Sequence, residues 1–180
     1  MRTVALYGGS FDPPHIAHIA IIEALCELTF LDKVVVMPTF LNPFKSKFTA
    51  PAKLRLQWLR DIFKNSKKIE INSFEVDLGE KTPTITTVNH LLENYEKVYV
   101  VIGADNLASL EKWYHYDELK SKVTFIVATR DDIEVPSNFI KLHIDEKVSS
   151  SDLRKKMNIE SLPEQKALEI MQYYKENNAN

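Results

Sequence analysis

What most constrains this chain is an alternation. Short apolar runs ending in glycine or proline are followed, again and again, by stretches whose apolar residues recur at helical spacing. The runs are TVALYG (3–8), KVVVMP (33–38), KIEINSFEV (68–76), KVYVVIG (97–103) and VTFIVAT (123–129), with FIKLHI (139–144) as a short sixth. Most are apolar nearly throughout, as strands buried on both faces are, and strands separated by helices pair in parallel. Between them HIAHIAIIEALCEL, PAKLRLQWLRDIFKN and TITTVNHLLENYE read as helices, and PEQKALEIMQYYKENN as a last one with Pro163 near its start. The expected fold is α/β and Rossmann-like: a mostly parallel sheet of five or six strands with helices on both faces. A chain of 180 residues is long enough for one well-cored domain and short for two, so a single domain over 1–180 is expected.

Composition narrows the partners. Hydrophobic residues make up 44% and charged residues 27%, ordinary values for a soluble protein, and no apolar run approaches the roughly 20 residues of a membrane helix. GGSFDPP interrupts the N-terminal apolar run where a signal peptide would continue, so no export signal is read. The single cysteine, Cys26, excludes an internal disulfide and is expected as a buried, inert thiol in a reducing cytoplasm. A formal net charge of −2 gives no general reason to bind nucleic acid or an acidic membrane, so an anion site has to be built locally. A homo-oligomer is compatible with all of this.

The local candidate is LYGGSFDPPHIAH, Leu6 to His18. Ligands of open α/β sheets bind beyond the carboxyl ends of the strands, where Gly8 and Gly9 fall. Glycine lets a phosphate approach the backbone at the start of the following helix. Pro13 and Pro14 suit the first turn of that helix, and His15 and His18, three apart, share one face of it. Rival readings are histidines as structural filler and a metal site, the latter disfavoured by one cysteine and no HExxH. GxGxxG of the hydride-transfer folds is missing. A second candidate is VSSSDLRKK, Val148 to Lys156, where Ser150, Ser151 and Arg154 at a helix start suit an anion, though alone it would read as an N-cap. The twelve residues from Thr39 to Ala50 form a long link carrying Lys45 and Lys47, either a ligand-covering loop or a solvated one.

GGSFDPPHIAH resembles the GG(S/T)FDPxHxGH signature of the nucleotidylyltransferase superfamily, with Ala17 in place of the usual Gly. VSSSDLR resembles its ISS(T/S)xxR element, about 130 residues downstream. Over most of its length the chain is similar to the bacterial nicotinate-nucleotide adenylyltransferases. LNPFK resembles their PPHK-type segment, with Phe44 for His, and LRLQWL their RLxML helix. KTPTITTVNHL resembles GPSYTxDTL, with Ile85 for Tyr, and VIGADNLASLEKWYHYDEL resembles IIGxDxxxxLxxWYxxxxL. The resemblance implies transfer of the adenylyl group of ATP, with Mg²⁺, to nicotinic acid mononucleotide, giving deamido-NAD and pyrophosphate.

It also implies roles. His15, His18, Lys45 and Arg154 would be catalytic. Gly8, Gly9, Ser10, Phe11, His15, His18, Gly103, Asp105, Ser150, Ser151 and Arg154 would hold ATP. Gly9, Ser10, Lys45, Thr86, Trp113, Tyr114 and backbone N–H groups around the last two would hold the nicotinate nucleotide. Mg²⁺ would ride mainly on phosphates and water, with no metal-binding residue in the protein. Trp113 and Tyr114 have an alternative as ordinary packing, and Asp105 one as a helix N-cap. The functional alternatives are pantetheine-phosphate adenylyltransferase, another small-molecule nucleotidylyltransferase such as a cytidylyltransferase, and an inactive nucleotide-binding module. WYHYDEL and TPTIT disfavour the enzymatic rivals, and the intact basic positions disfavour the last.

Overall fold

The computed structural model describes residues 2–40, 49–129, 133–146 and 148–177. Six strands, β1 (Thr3–Gly9), β2 (Lys33–Pro38), β3 (Ile69–Ile71), β4 (Lys97–Gly103), β5 (Val123–Thr129) and β6 (Ile140–His143), form one sheet in the order β3-β2-β1-β4-β5-β6. Every pairing is parallel. Strand periodicity splits the apolar runs between two cores. Val4, Leu6, Val35 and Met37 face one side, where Ile85, Val88 and Leu91 of α4 (Thr84–Leu91) and Leu119 of α5 (Tyr116–Lys122) cover them. Ala5, Tyr7, Val34 and Val36 face the other, under Ile22 and Leu25 of α1 (Ile16–Cys26) and Leu59 of α2 (Ala52–Ile62). None of the described helices is long and apolar enough to cross a membrane.

Several local expectations are corrected. KIEINSFEV is a strand only over Ile69–Ile71, because Asn72 Oδ1 accepts from the Phe74 N–H at 2.8 Å and turns the chain into a short helix, α3 (Phe74–Leu78). Gly79, at φ +68°, closes that helix in the left-handed conformation. Pro13 and Pro14 precede α1 rather than forming its first turn; His15 is its N-cap. Pro163 likewise precedes α7 (Ala167–Asn177), its carbonyl accepting from Lys166 N–H in a turn. Cys26, the last residue of α1, is half-buried rather than buried.

The order of strands puts a switch point between β1 and β4. From β1 the chain leaves to α1 on one face. From β4 it enters a 3₁₀ helix, Ala104–Lys112, whose Leu110 packs on the other. A crevice opens between the two departures.

Beside it lies a buried polar node. Asp12, 2% exposed, accepts from the N–H groups of Thr49 and Ala50, each at 3.0 Å, and from the Tyr174 hydroxyl of α7. Arg55 of α2 is fully buried and donates to three carbonyls: Ser10 at 2.6 Å, Ala50 at 2.9 Å and Phe40 at 3.3 Å. Around it a third apolar cluster joins Trp58 of α2, Leu153 of α6 (Ser150–Lys155) and Ile170 and Tyr174 of α7.

Removing that guanidinium leaves three buried carbonyls without their donor, so Arg55→Leu should lower the unfolding free energy by about 3–5 kcal/mol in urea denaturation. Arg55→Lys should recover only part, since one ammonium cannot span three carbonyls. A loss below about 1 kcal/mol in Arg55→Leu would contradict the node's structural weight.

Candidate active site

The crevice is a cavity of about 580 Å³, within the range of small-molecule sites, at the carboxyl ends of β1 and β4. Its floor is set by close backbone packing. A Cβ on Gly9 would lie 3.2 Å from the Phe11 ring, and one on Gly103 would lie 2.7 Å from Asp105 Oδ1. A side chain at either position would require the Phe11 ring or the Asp105 carboxyl to shift. Phe11 itself takes a left-handed φ of +50°, which costs about 1 kcal/mol or more for a bulky residue and persists because its ring is buried. That ring meets Tyr7 and His18 edge-on at 5.6 and 4.7 Å.

His15 and His18 do not simply share a helical face. His15 is the N-cap of α1 and His18 the third residue, and each caps the other. His15 N–H donates to His18 Nδ1 at 3.1 Å, and His18 N–H to His15 Nδ1 at 3.4 Å. The rings stack with centroids 3.6 Å apart and planes 14° from parallel. Burial pushes the His15 imidazole down to about 4, and burial followed by the neighbouring His15 holds His18 well below the usual histidine range. Both rings are neutral at pH 7. With each Nδ1 accepting, each proton sits on Nε2, and both residues line the cavity, so the pair offers two N–H donors without two charges.

α6 brings the second motif to the same wall. Ser149 is its N-cap, accepting from Asp152 N–H at 3.1 Å. Ser150 Oγ donates to Pro13 O at 2.9 Å and Arg154 Nη1 to Asp12 O at 2.6 Å, so segments about 140 residues apart are stitched directly. Ser149, Ser150 and Ser151 line the cavity. Arg154 stands behind the wall, with Nη2 donating to Ser151 Oγ at 3.4 Å.

The opposite end is formed by Trp113, Thr82, Thr84 and the buried Glu75. Of the residues singled out in the sequence, Gly8, Gly9, Ser10, Phe11, His15, His18, Gly103, Asp105, Trp113, Ser150 and Ser151 line one cavity. Thr86 is exposed and off its wall; the wall residue is Thr84, at the start of α4. Tyr114 is 62% exposed and lies against His115 instead. The Trp113 N–H is committed to Leu110 O at 3.1 Å, although its indole lines the cavity. Asp105 is not an N-cap: it lies within the 3₁₀ helix, whose N-cap is Gly103. Lys45, Lys47 and Phe44 lie outside the described residues. Glu75 was missed because it was read inside a strand, and no motif marks it. Among the described residues no group of three or more His, Cys, Asp and Glu could hold a metal ion.

Residues 6–156 match the cytidylyltransferase-like family. The chain is 58% identical, over 98% of its length and 97% of the relative's, to the "probable nicotinate-nucleotide adenylyltransferase" of Sulfurimonas denitrificans. It is 44% identical to that of Campylobacter fetus, with 98% of both chains covered. In fold it is similar to the nicotinic acid mononucleotide adenylyltransferase of Plasmodium falciparum, solved with NaAD, at a TM-score of 0.80 and 22% identity over the whole of both chains. With the GGSFDPPHIAH and SSSDLR segments meeting on one cavity of a parallel sheet, and relatives this similar over their full length, the chain belongs to the cytidylyltransferase-like family and, within it, to the nicotinate-nucleotide adenylyltransferases.

Proposed function

We propose that the chain, acting as one domain, transfers the adenylyl group of ATP to nicotinic acid mononucleotide, releasing pyrophosphate and forming deamido-NAD. The observation that carries this is the convergence of the GGSFDPPHIAH turn and the SSSDLR helix on one cavity. A phosphate oxygen of the mononucleotide attacks the α-phosphorus of ATP, the bond to the bridging oxygen breaks, and pyrophosphate departs. The attacking monoester has a second pKa of about 6 and is already ionised, so no general base is needed. The protein has to bring two anions into line and stabilise the charge that develops.

His18 Nε2–H donates to the α-phosphate and the transition state, and His15 Nε2–H to the triphosphate. Ser150 and Ser151 take the β- and γ-phosphates with Arg154, which turns toward them from behind Ser151, and Lys45 approaches the departing pyrophosphate. Gly8, Gly9, Phe11, Gly103 and Asp105 seat the adenosine side, while Ser10 and Gly9 also meet the acceptor. Trp113 and Thr84 are favoured over Tyr114 and Thr86 for the nicotinate ring, because only the former pair lines the cavity. Magnesium arrives with ATP as part of the substrate, held by phosphates and water and neutralising their charge.

Pyrophosphate release with ATP should be fastest with nicotinic acid mononucleotide, slower with its amide and absent with phosphopantetheine; preference for phosphopantetheine would overturn the assignment. His18→Ala should lower kcat by about 10²-fold or more, the scale of losing a preorganised transition-state donor. A folded variant within about threefold of the parent would reject its role.

A buried neutral histidine also makes the fold acid-sensitive. The folded state binds fewer protons than the unfolded one between about pH 6.5 and about 4, so the His15 contribution is present above about 6.5 and lost as pH falls toward about 4. Glu75, raised by burial to about 7, acts with the opposite sign in an overlapping window, so the effect should be read as a difference. His15→Asn retains a capping acceptor. The stability of the parent relative to His15→Asn should rise by about 3 kcal/mol from pH 4 to pH 6.5, measured by urea denaturation. A flat difference would exclude burial of His15 as the cause.

A further inference from the structure

Glu75 is the second residue of α3, 6% exposed, and part of the cavity wall with Thr82, Thr84 and Trp113. Its Oε2 accepts from the Thr87 hydroxyl at 2.7 Å, and Thr87 is itself fully buried. No other hydrogen-bond partner reaches the carboxyl among the described residues, and no described lysine or arginine lines the cavity. A buried carboxylate without a cation is costly, and this one is kept only where a pocket or a ligand compensates it. On the same wall Trp113 Nε1 is a buried donor with no partner among the described residues. Trp113 and Phe74, the neighbour of Glu75, pack against the same apolar core, on the face of the sheet covered by α4. Glu75 thus brings to the cavity wall a carboxyl whose Oε1 has no hydrogen-bond partner among the described residues.

The other titratable groups around α3 do not compensate Glu75. Glu70 of β3 accepts from Asn72, and Asp77 of α3 accepts from Ser73. His90 of α4 lies flat on the Phe74 ring, and Arg55 of α2 is held by carbonyls in the Asp12 node. Asp105 lines the cavity from the 3₁₀ helix and adds negative charge. Burial pushes the Glu75 carboxyl up to about 7, and only the Thr87 hydroxyl pulls it back.

We propose that Glu75 is a specificity-determining residue of the acceptor end, whose carboxyl meets the substituent on the pyridine ring of the mononucleotide. Protonated, it donates to a carboxylate; ionised, it repels that carboxylate and accepts from a carboxamide N–H instead. This rests on the acceptor being a pyridine mononucleotide, as in the proposed function. Glu75 is therefore the part of the wall whose preference changes with its protonation. The acid is favoured on the acidic side of neutrality, and the amide gains on the basic side.

The test is the ratio of kcat/KM for nicotinic acid mononucleotide to that for its amide, at about pH 6 and about pH 8.5. Both nucleotides carry the same phosphate, so its titration cancels in the ratio. In the parent the ratio should fall about tenfold across this range, the scale of a like charge appearing beside the substrate carboxylate. In Glu75→Gln, which is always neutral and can both donate and accept, the ratio should not vary with pH. Thr87→Val removes the one hydrogen bond that favours the ionised form, so the midpoint should move to higher pH, a displacement that a merely structural role would not produce. A pH-independent ratio in the parent, or an equal slope in Glu75→Gln, would overturn the assignment. If the parent adenylylates neither nucleotide, the proposed function fails; if it adenylylates them at a ratio insensitive to pH, only the role of Glu75 does.

Discussion

The site depends on the compensation of one buried carboxylate. Asp12 sits in the turn after β1, where the chain has no regular hydrogen-bonding partner, and a charge there is tolerable only if surrounding donors satisfy it. Those donors come from everywhere else: Thr49 and Ala50 from the far stem of the link after β2, and Tyr174 from α7. Arg154 adds its charge from α6, 3.8 Å from Oδ2. Arg55 closes the arrangement by taking the carbonyls of Ser10, Phe40 and Ala50, so both stems of segment 41–48 are fixed against the GGSFD turn. Burial and the adjacent carboxylate push the Tyr174 hydroxyl up, which keeps it protonated as a donor. The C-terminal helix thus braces the GGSFD turn without touching the cavity.

That arrangement also explains how a cavity poor in cations can serve an anionic substrate. Glu75, Asp105 and Glu146 line it, while no described lysine or arginine does. Among the described wall residues, the donors an anion would meet are N–H groups: the first turn of α1, the start of α6, and the two imidazoles. Because the histidines cap each other through Nδ1, their orientation is fixed before a ligand arrives, and donors that need not reorganise are the most effective kind in a site shielded from water. A pair of charged imidazoles 3.6 Å apart would repel each other; neutrality is the condition for the stack.

Much of this was legible in the sequence, for physical reasons that also mark where reading failed. KVVVMP, KVYVVIG and VTFIVAT are strands over those same residues, because a run apolar on both faces and stopped by Pro, Gly or a polar turn has few alternatives. KIEINSFEV misled because alternating apolar residues fit a strand until the Asn72 side chain captures the next backbone N–H, a local contest that periodicity does not register. The histidine spacing suggests one shared helical face, whereas the structure makes His15 the N-cap, and their mutual capping becomes legible only once the start of the helix is located at Ile16. Arg55 did leave a signal: it falls with Ala52, Leu56, Leu59 and Ile62 on the buried stripe of α2, where a charge is out of place unless paired. Tyr174 and Glu75 left none, since an aromatic in an amphipathic helix and an acid in a short polar stretch are common surface features.

The two halves of the site differ in kind, and the sheet explains the difference. The half on the α1 face is backed by the cores that hold Phe11, Trp58 and Tyr174 and by the Asp12 node, so its residues are over-determined by packing and charge. The half on the α4 face is made from a five-residue helix, the first turn of α4 and a 3₁₀ segment, each contributing a residue or two. Changing Glu75, Thr84 or Trp113 alters what the far end of the cavity offers without disturbing Asp12, since the groups that satisfy Asp12 lie on the other face. One half of the wall is therefore written in two long motifs that survive as strings, whereas the other is made of scattered single residues that come together only when the switch between β1 and β4 brings them to one cavity.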